Sequence, residues 1–187
     1  MVQTSSKHLA LDEFLQQPET KPAREYIDAQ VIPKPMPQGE HSVIQGELVT
    51  TANAALKPNK IARAFPELRC TFGGRSIVID VSVFMWDRIP RKENGGIANK
   101  FTIAPDWAIE ILSPDQSQTK LIKKLLHCLQ HGTKMGWLID PEEQTVLAFR
   151  SQQPPVVFDE PEQILGVPEF AKELVLSIGE LFCWLLE

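Results

Sequence analysis

Two carboxylates sit in the middle of short, otherwise apolar runs. Asp80 interrupts Ser76–Phe84 (Ser-Ile-Val-Ile-Asp-Val-Ser-Val-Phe), and Glu110 interrupts Trp107–Leu112 (Trp-Ala-Ile-Glu-Ile-Leu). Runs this short and this rich in β-branched residues, set off by Gly73-Gly74 and by Ser113-Pro114, read as strands buried on both faces. An unpaired ionised carboxylate in such a place costs on the order of several kcal/mol, so each needs a cation or a donor. Side-chain alternation puts Ile77, Ile79, Val81 and Val83 on one face and Val78, Asp80, Ser82 and Phe84 on the other; Glu110 shares its face with Ala108 and Leu112. If the strands pair with both carboxylates on one face, they bracket a hard divalent ion. Mg²⁺ suits that pair, with Mn²⁺ as a substitute. The alternative, two carboxylates each paired with a separate Lys or Arg, needs no ion.

The surrounding pattern supplies the frame. His8–Gln17 carries enough apolar residues for a short N-terminal helix ended by Pro18, and Arg24–Ile32 reads as a hairpin turning at Asp28-Ala29. The proline-bearing stretch Lys34–Gly39 is a loop, because its prolines lack donors and fix φ. A long helix follows from about Glu40 to Leu56, with Ile44, Leu48, Ala52, Ala55 and Leu56 on its apolar face. Residues 86–100 form a polar loop between the two carboxylate strands. A second helix spans about Gln116 to Gly132, followed by strands at Gly136–Asp140 and Thr145–Arg150. Leu174–Ile178 is a candidate last strand and Gly179–Glu187 an apolar C-terminal helix. Alternating helices and strands of this kind imply an α/β fold with a central mixed sheet flanked by helices. The expectation is one domain over residues 1–187, with an N-terminal helix and linker at 1–20 and a proline-rich surface loop at 151–162.

Bulk properties narrow the class. The chain has 187 residues, 43% hydrophobic, with a formal charge of −5, which argues against coating nucleic acid by bulk electrostatics but allows a local basic patch. No apolar run reaches the roughly 20 residues of a membrane span, and the N-terminus lacks a signal-peptide pattern. Cys70, Cys128 and Cys183 are odd in number, widely spaced and set among apolar neighbours, so they read as reduced core thiols of a cytoplasmic protein.

Enzymes of the restriction-endonuclease-like fold, the PD-(D/E)xK superfamily, carry an Asp on one strand and a Glu or Asp on the next, usually with Lys two positions later. Here Leu112 stands in that lysine's place. The series Glu110-x-x-Ser113-Pro114, Lys124, Gly132 and Trp137-x-x-Asp140-Pro141 resembles the Uma-type family of restriction endonucleases, as do Tyr26-Ile27-Asp28, His41, Phe65-Pro66-Glu67-Leu68-Arg69 and Pro105-Asp106. The similarity runs from about Leu9 to the C-terminus. In that family the lysine has moved from the strand to the following helix, which offers Lys120, Lys123 and Lys124. Helical phase turns Lys123 away from the core and leaves Lys124 at its boundary, able to reach inward, and the family match selects Lys124. Two positions depart from the family: Ile79 replaces the usual Pro before the strand Asp, and Ala29 replaces the turn Gly.

The resemblance implies a Mg²⁺-dependent endonuclease in which Asp80 and Glu110 hold the ion and Lys124 acts on the reacting phosphate. His41 matches a family histidine near the active site. Glu25 is a weaker candidate for a further carboxylate of the metal shell. His127 and His131 read as surface residues, and Asp106 as a turn-ordering residue. Arg88, Arg91, Lys92 and Lys100, in the loop joining the carboxylate strands, are candidates for the phosphate backbone. DNA is the expected substrate, and a homodimer is expected both from a duplex substrate and from the apolar surplus of Gly179–Glu187. The rival reading is an inactive nucleic-acid-binding or protein-interaction module that keeps the fold, governed by the basic loop and not by the carboxylates.

Overall fold

The computed structural model describes residues 9–114 and 116–186. A short helix α1 (Leu11–Leu15) leads to the hairpin β1 (Arg24–Ile27) and β2 (Gln30–Pro33), then the long helix α2 (Gly39–Leu56). His8, the first residue of the expected N-terminal helix, lies outside the described residues. The hairpin β3 (Ala62–Phe72) and β4 (Arg75–Met85) follows, then β5 (Trp107–Ile111), α3 (Gln118–Gln130), β6 (Met135–Asp140), β7 (Thr145–Phe149), β8 (Val156–Phe158) and α4 (Ile178–Cys183).

Among the described residues eight strands form one mixed sheet in the order β2-β1-β4-β5-β6-β7-β8, with β3 on the other edge of β4. Of these strands only β5 and β6 run parallel, and α3 is the crossover that parallel neighbours require. Both two-residue turns are of the hairpin kind with positive φ at each central residue: Gly73 (56°) and Gly74 (74°), and Asp28 (51°) and Ala29 (61°).

The sheet separates two cores. On one side Ile44, Leu48, Ala52 and Leu56 of α2 pack on Val81, Val83, Trp107, Ile109 and Ile111. On the other Leu121, Leu125, Cys128 and Leu129 of α3 pack on Ile77, Ile79, Phe84, Ala108 and Leu138. β5 thus alternates as its sequence predicts. β4 does not: Ile77 and Ile79 join the α3 core while Val81 and Val83 join the α2 core. The alternation slips at Asp80, so the sequence expectation that all four share a face is corrected. Across the β3–β4 ladder, the partner position is Glu67, between the pairs Pro66↔Val81 and Leu68↔Ile79. Its φ of 47° is the left-handed conformation that non-glycine residues rarely adopt. The preceding Pro66 has no N–H to give the ladder. The two strands distort together at this rung.

Two further expectations change. The segment from Leu174 forms no strand; Ser177 caps α4, its hydroxyl accepting from the Glu180 N–H at 3.1 Å. The proline-rich stretch 151–162 contains β8, a three-residue edge strand on β7. The C-terminal apolar residues are mostly used within the chain. Leu181 and Phe182 are buried, Trp184 and Leu185 pack on the α2 core, and Leu186 remains 86% exposed. Cys70 and Cys128 are core thiols as expected, but Cys183, on the outer side of α4, is exposed.

Candidate active site

Asp80 occupies a fork in the sheet. Along β4, β1 pairs at Ser76 and β5 only from Val81 onward. Between those contacts this edge of β4 lacks a neighbouring strand, while β3 lines the opposite edge, and buried polar groups on the open edge need other partners. Side chains supply them. The Glu25 carboxylate accepts from the Val78 N–H at 2.7 Å, the Lys124 ammonium donates to the Val78 carbonyl at 2.7 Å, and Gln45 Nε2 donates to the Asp80 carbonyl at 2.7 Å. Asp80 Oδ2 in turn accepts from the Ile111 N–H at 2.8 Å, fastening the end of β5 to β4.

The register that pairs Val81 with Ile109 runs on to set Asp80 across from Glu110. Two lysines then divide the carboxylates. Lys124 lies 3.0 Å from Glu110 Oε1 and 2.8 Å from Glu25 Oε1. Lys34 lies 2.6 Å from Asp80 Oδ1 and 2.8 Å from Glu67 Oε1. His41 Nε2 is 3.4 Å from Asp80 Oδ1, and its Nδ1 is 3.0 Å from Ser113 Oγ. α2 supplies His41 and Gln45 from one face of the sheet, α3 supplies Lys124 from the other, and the β1–β2 hairpin supplies Glu25 and Lys34 through the fork. Apart from Glu67, every one of these side chains is buried.

The structure therefore brings together Asp80, Glu110, Lys124, His41 and the weaker candidate Glu25. It adds Lys34 and Gln45, which the sequence did not single out, and Glu67, which entered only within the family-like motif Phe65–Arg69 and without a role in the site. Glu67 had a legible signal, a carboxylate after proline among apolar neighbours. Lys34 had none, since it sits in a proline-rich stretch without periodicity; its backbone N–H extends the β1–β2 ladder to Ala23 at 2.7 Å, and that fixes its direction.

The electrostatics are those of a site short of positive charge. Four carboxylates, Glu25, Glu67, Asp80 and Glu110, face two ammonium groups. Burial works to raise the pKa of Asp80, but the Lys34 ammonium, helped by His41 and Lys124, outweighs it and holds the carboxyl below the usual carboxylate range. At Glu110 burial wins: despite Lys124, burial together with the Asp80 and Glu25 charges pushes it up to about 8. Burial also opposes the charge on Lys124, yet Glu110, Glu25 and Asp80 hold its pKa above the ordinary lysine value. Lys34 behaves likewise, with Asp80 the main group opposing its burial. Buried His41 Nε2, Asp80 Oδ1 and Glu110 Oε1 make no hydrogen bond; the nearby ammonium groups approach the two carboxylate oxygens without hydrogen-bonding angles. Unsatisfied nitrogen and oxygen donors with surplus negative charge fit a hard divalent cation.

The basic loop is placed elsewhere. It leaves β4 at Met85 and enters β5 at Trp107, the end of the strand pair away from Asp80. Five extended residues, about 17 Å, separate its start from that carboxylate. Arg88 is committed to the fully buried Asp106 at 2.6 Å. Asp106 also accepts from the Met85 N–H at 2.8 Å. Arg91 lies over the Trp86 ring, and Lys92 and Lys100 are exposed. His127 is not a surface residue: it is buried and stacks on Phe72 at 5.0 Å, while His131 is exposed beside it. Both rings close over Gly73, where an added Cβ would lie 2.2 Å from His131 Nε2.

A mixed sheet between helices, with Asp and Glu on neighbouring strands and Lys on the next helix, defines the restriction-endonuclease-like class. Within it, the chain belongs to the Uma2 family, whose model, described as "Putative restriction endonuclease", matches residues 11–179. It is also similar to the crystal structure of "a putative nuclease belonging to DUF820 from Anabaena variabilis ATCC 29413". That likeness has 66% identity and a TM-score of 0.93, covering 94% of this chain and 98% of the other. No curated protein sequence matches the chain.

Proposed function

We propose that the chain is a divalent-metal-dependent nuclease that hydrolyses phosphodiester bonds in DNA. The observation that carries this reading is the meeting of Asp80, Glu110 and Lys124 at one buried fork, with oxygen and nitrogen atoms left unsatisfied beside them. Asp80 and Glu110 would hold Mg²⁺ or Mn²⁺, which supplies charge neutralisation at the scissile phosphate and acidifies water. Asp80 is oriented for this by the Ile111 N–H, and Glu110 by Lys124. The ammonium of Lys124, kept protonated by Glu110 and Glu25, donates and does not accept a proton. Its role is to orient the attacking water and to offset charge that develops on the phosphate. His41 lies between Ser113 Oγ, 3.0 Å from its Nδ1, and Asp80 Oδ1, 3.4 Å from its Nε2; in the tautomer whose Nδ1 carries the proton, Nε2 would be free to ligate an ion on the Asp80 side of the centre.

DNA as substrate, a homodimer and a cytoplasmic location belong to the same reading. Among the described residues no helix is long and apolar enough to cross a membrane. With most of the C-terminal apolar residues packed inside the chain, the homodimer rests on the two strands of a duplex substrate. Light scattering that returns a monomer mass at micromolar concentration would remove it. Of the basic residues, Arg91, Lys92 and Lys100 stay available for a phosphate backbone, whereas Arg88 is held by Asp106.

The test is cleavage of plasmid, linear duplex and single-stranded DNA with Mg²⁺ or Mn²⁺. Asp80→Ala and Glu110→Ala are expected to abolish turnover, and Lys124→Ala to lower it by about 10²–10³-fold. Wild-type turnover no faster than Asp80→Ala on every substrate ends the enzyme reading and leaves the binding module.

A further inference from the structure

We infer that Lys34 is a resident cation, occupying a divalent-ion seat made by Asp80 Oδ1, Glu67 and His41 Nε2, which it must vacate before an ion binds there. The inference rests on the metal reading of Asp80 and adds to it a second set of ligands and a residue that controls access to them.

The three prospective ligands offer atoms that all lie within 4.8 Å of one another. His41 is 4% exposed and its Nε2 has no hydrogen bond, although it is aimed at Asp80 Oδ1 from 3.4 Å. A buried imidazole nitrogen left facing a carboxylate oxygen, with no hydrogen bond between them, is what a ligand set looks like before its ion arrives. Between the two carboxylates stands Lys34 Nζ, at 2.6 Å from Asp80 Oδ1 and 2.8 Å from Glu67 Oε1. An ion bridging the same two oxygens would require that space, and two cations cannot share it.

Glu67 explains the cost of building the seat. Its backbone is held at a φ of 47°, opposite the rung where β4 loses its alternation, and Gln45 Nε2 donates to its Oε1 at 3.2 Å. Strain of this sort persists where surrounding structure enforces it and clusters at working sites. Lys34 can leave without unfolding anything. Its backbone is fixed by the Ala23 carbonyl, and its flexible four-carbon stem lets the ammonium swing. Glu67, at 39% side-chain exposure, marks the side on which the seat meets solvent.

If the seat is competed for by an internal cation, removing that cation tightens metal binding in proportion to the fraction of time the lysine occupies it. The experiment measures Mn²⁺ affinity of the full chain by calorimetry and by electron paramagnetic resonance, for wild type, Lys34→Met, Glu67→Gln and Asp80→Asn. Lys34→Met is expected to bind Mn²⁺ about ten-fold tighter or more, and Glu67→Gln and Asp80→Asn more weakly than wild type. In parallel, acetylation of wild-type lysines is followed by mass spectrometry. Lys34 should be protected in chelator and become reactive as Mn²⁺ is added, while Lys124 stays protected. That labelling decides the matter alone if Lys34→Met does not fold. Unchanged affinity in Lys34→Met, unchanged affinity in Glu67→Gln, or a Lys34 that remains protected at saturating Mn²⁺ overturns the inference. In those cases wild-type binding lost in Asp80→Asn leaves the nuclease reading standing. Failure of every form to bind Mn²⁺ overturns both.

Discussion

Glu110 carries the least comfortable charge in the centre. It is buried beside Asp80 and Glu25, and Lys124 alone does not compensate, so its carboxyl holds a proton up to about pH 8 against an ordinary value of 4.5. Between those values the folded chain binds a proton that the unfolded chain has released, so stability falls as pH rises through this window. Asp80 has the opposite sign: its depressed pKa contributes stability above its ordinary value of 3.8 that is lost on acidification below it. In chelator, Glu110→Gln is therefore expected to flatten the decline in melting temperature from pH 5 to 8. At pH 8 it should be more stable than wild type, by on the order of a few kcal/mol at most. A wild-type melting curve independent of pH in that range would contradict this. Lys124→Ala should do the reverse. It leaves Glu110, Glu25 and the Val78 carbonyl without their cation, at a cost of about 3–5 kcal/mol in denaturant unfolding at neutral pH.

At the scale of elements, the β1–β2 hairpin matters because it delivers Glu25 and Lys34 through the fork. Its turn places Ala29 at a φ of 61°, where a Cβ crowds the following carbonyl. Ala29→Gly is expected to stabilise the protein by about 1 kcal/mol, read as a rise of about 2–4 °C in melting temperature. No gain would mean that the turn relaxes its strain elsewhere. The α3 N-terminal half works differently: it carries Lys124 on its buried side while Lys120 and Lys123 face solvent. Only one lysine of the three can serve the centre.

Across the whole molecule, the site ties together pieces far apart in sequence. β1, β3, β4, β5, α2, α3 and Lys34 just beyond β2 each contribute a side chain or a backbone group to it. An ion that binds this arrangement and not the unfolded chain stabilises the entire fold by mass action. At about a hundred times its dissociation constant, Mn²⁺ should add about 2.7 kcal/mol, a shift of roughly 5–10 °C for a chain of this size. Asp80→Ala should melt at the same temperature with and without Mn²⁺. A wild-type melting temperature unmoved by millimolar Mg²⁺ and Mn²⁺ would count against any resident metal.

The sequence by itself determined the strands around Asp80 and Glu110 and the two long helices, which follow from local rules of apolar period and turn residues. Helical phase left Lys124 at the boundary of its helix's apolar face, and the family resemblance singled it out. The sequence could not reveal the slip at Asp80, because strict alternation is the local expectation. The slip falls opposite Pro66 and Glu67 of β3, where a missing N–H and a positive φ distort the ladder with it. Nor could it bring Lys34 and Glu67 to Asp80, since the partners are separated by long stretches of chain and meet only where β1 and β5 diverge along β4. The basic loop shows the converse. Arg88 looked free in a polar stretch, but Asp106, buried at the start of β5, needed a cation more than a nucleic acid did. Which charges are spent inside the fold, and which remain for a ligand, was decided by burial, and burial is a property of the tertiary structure.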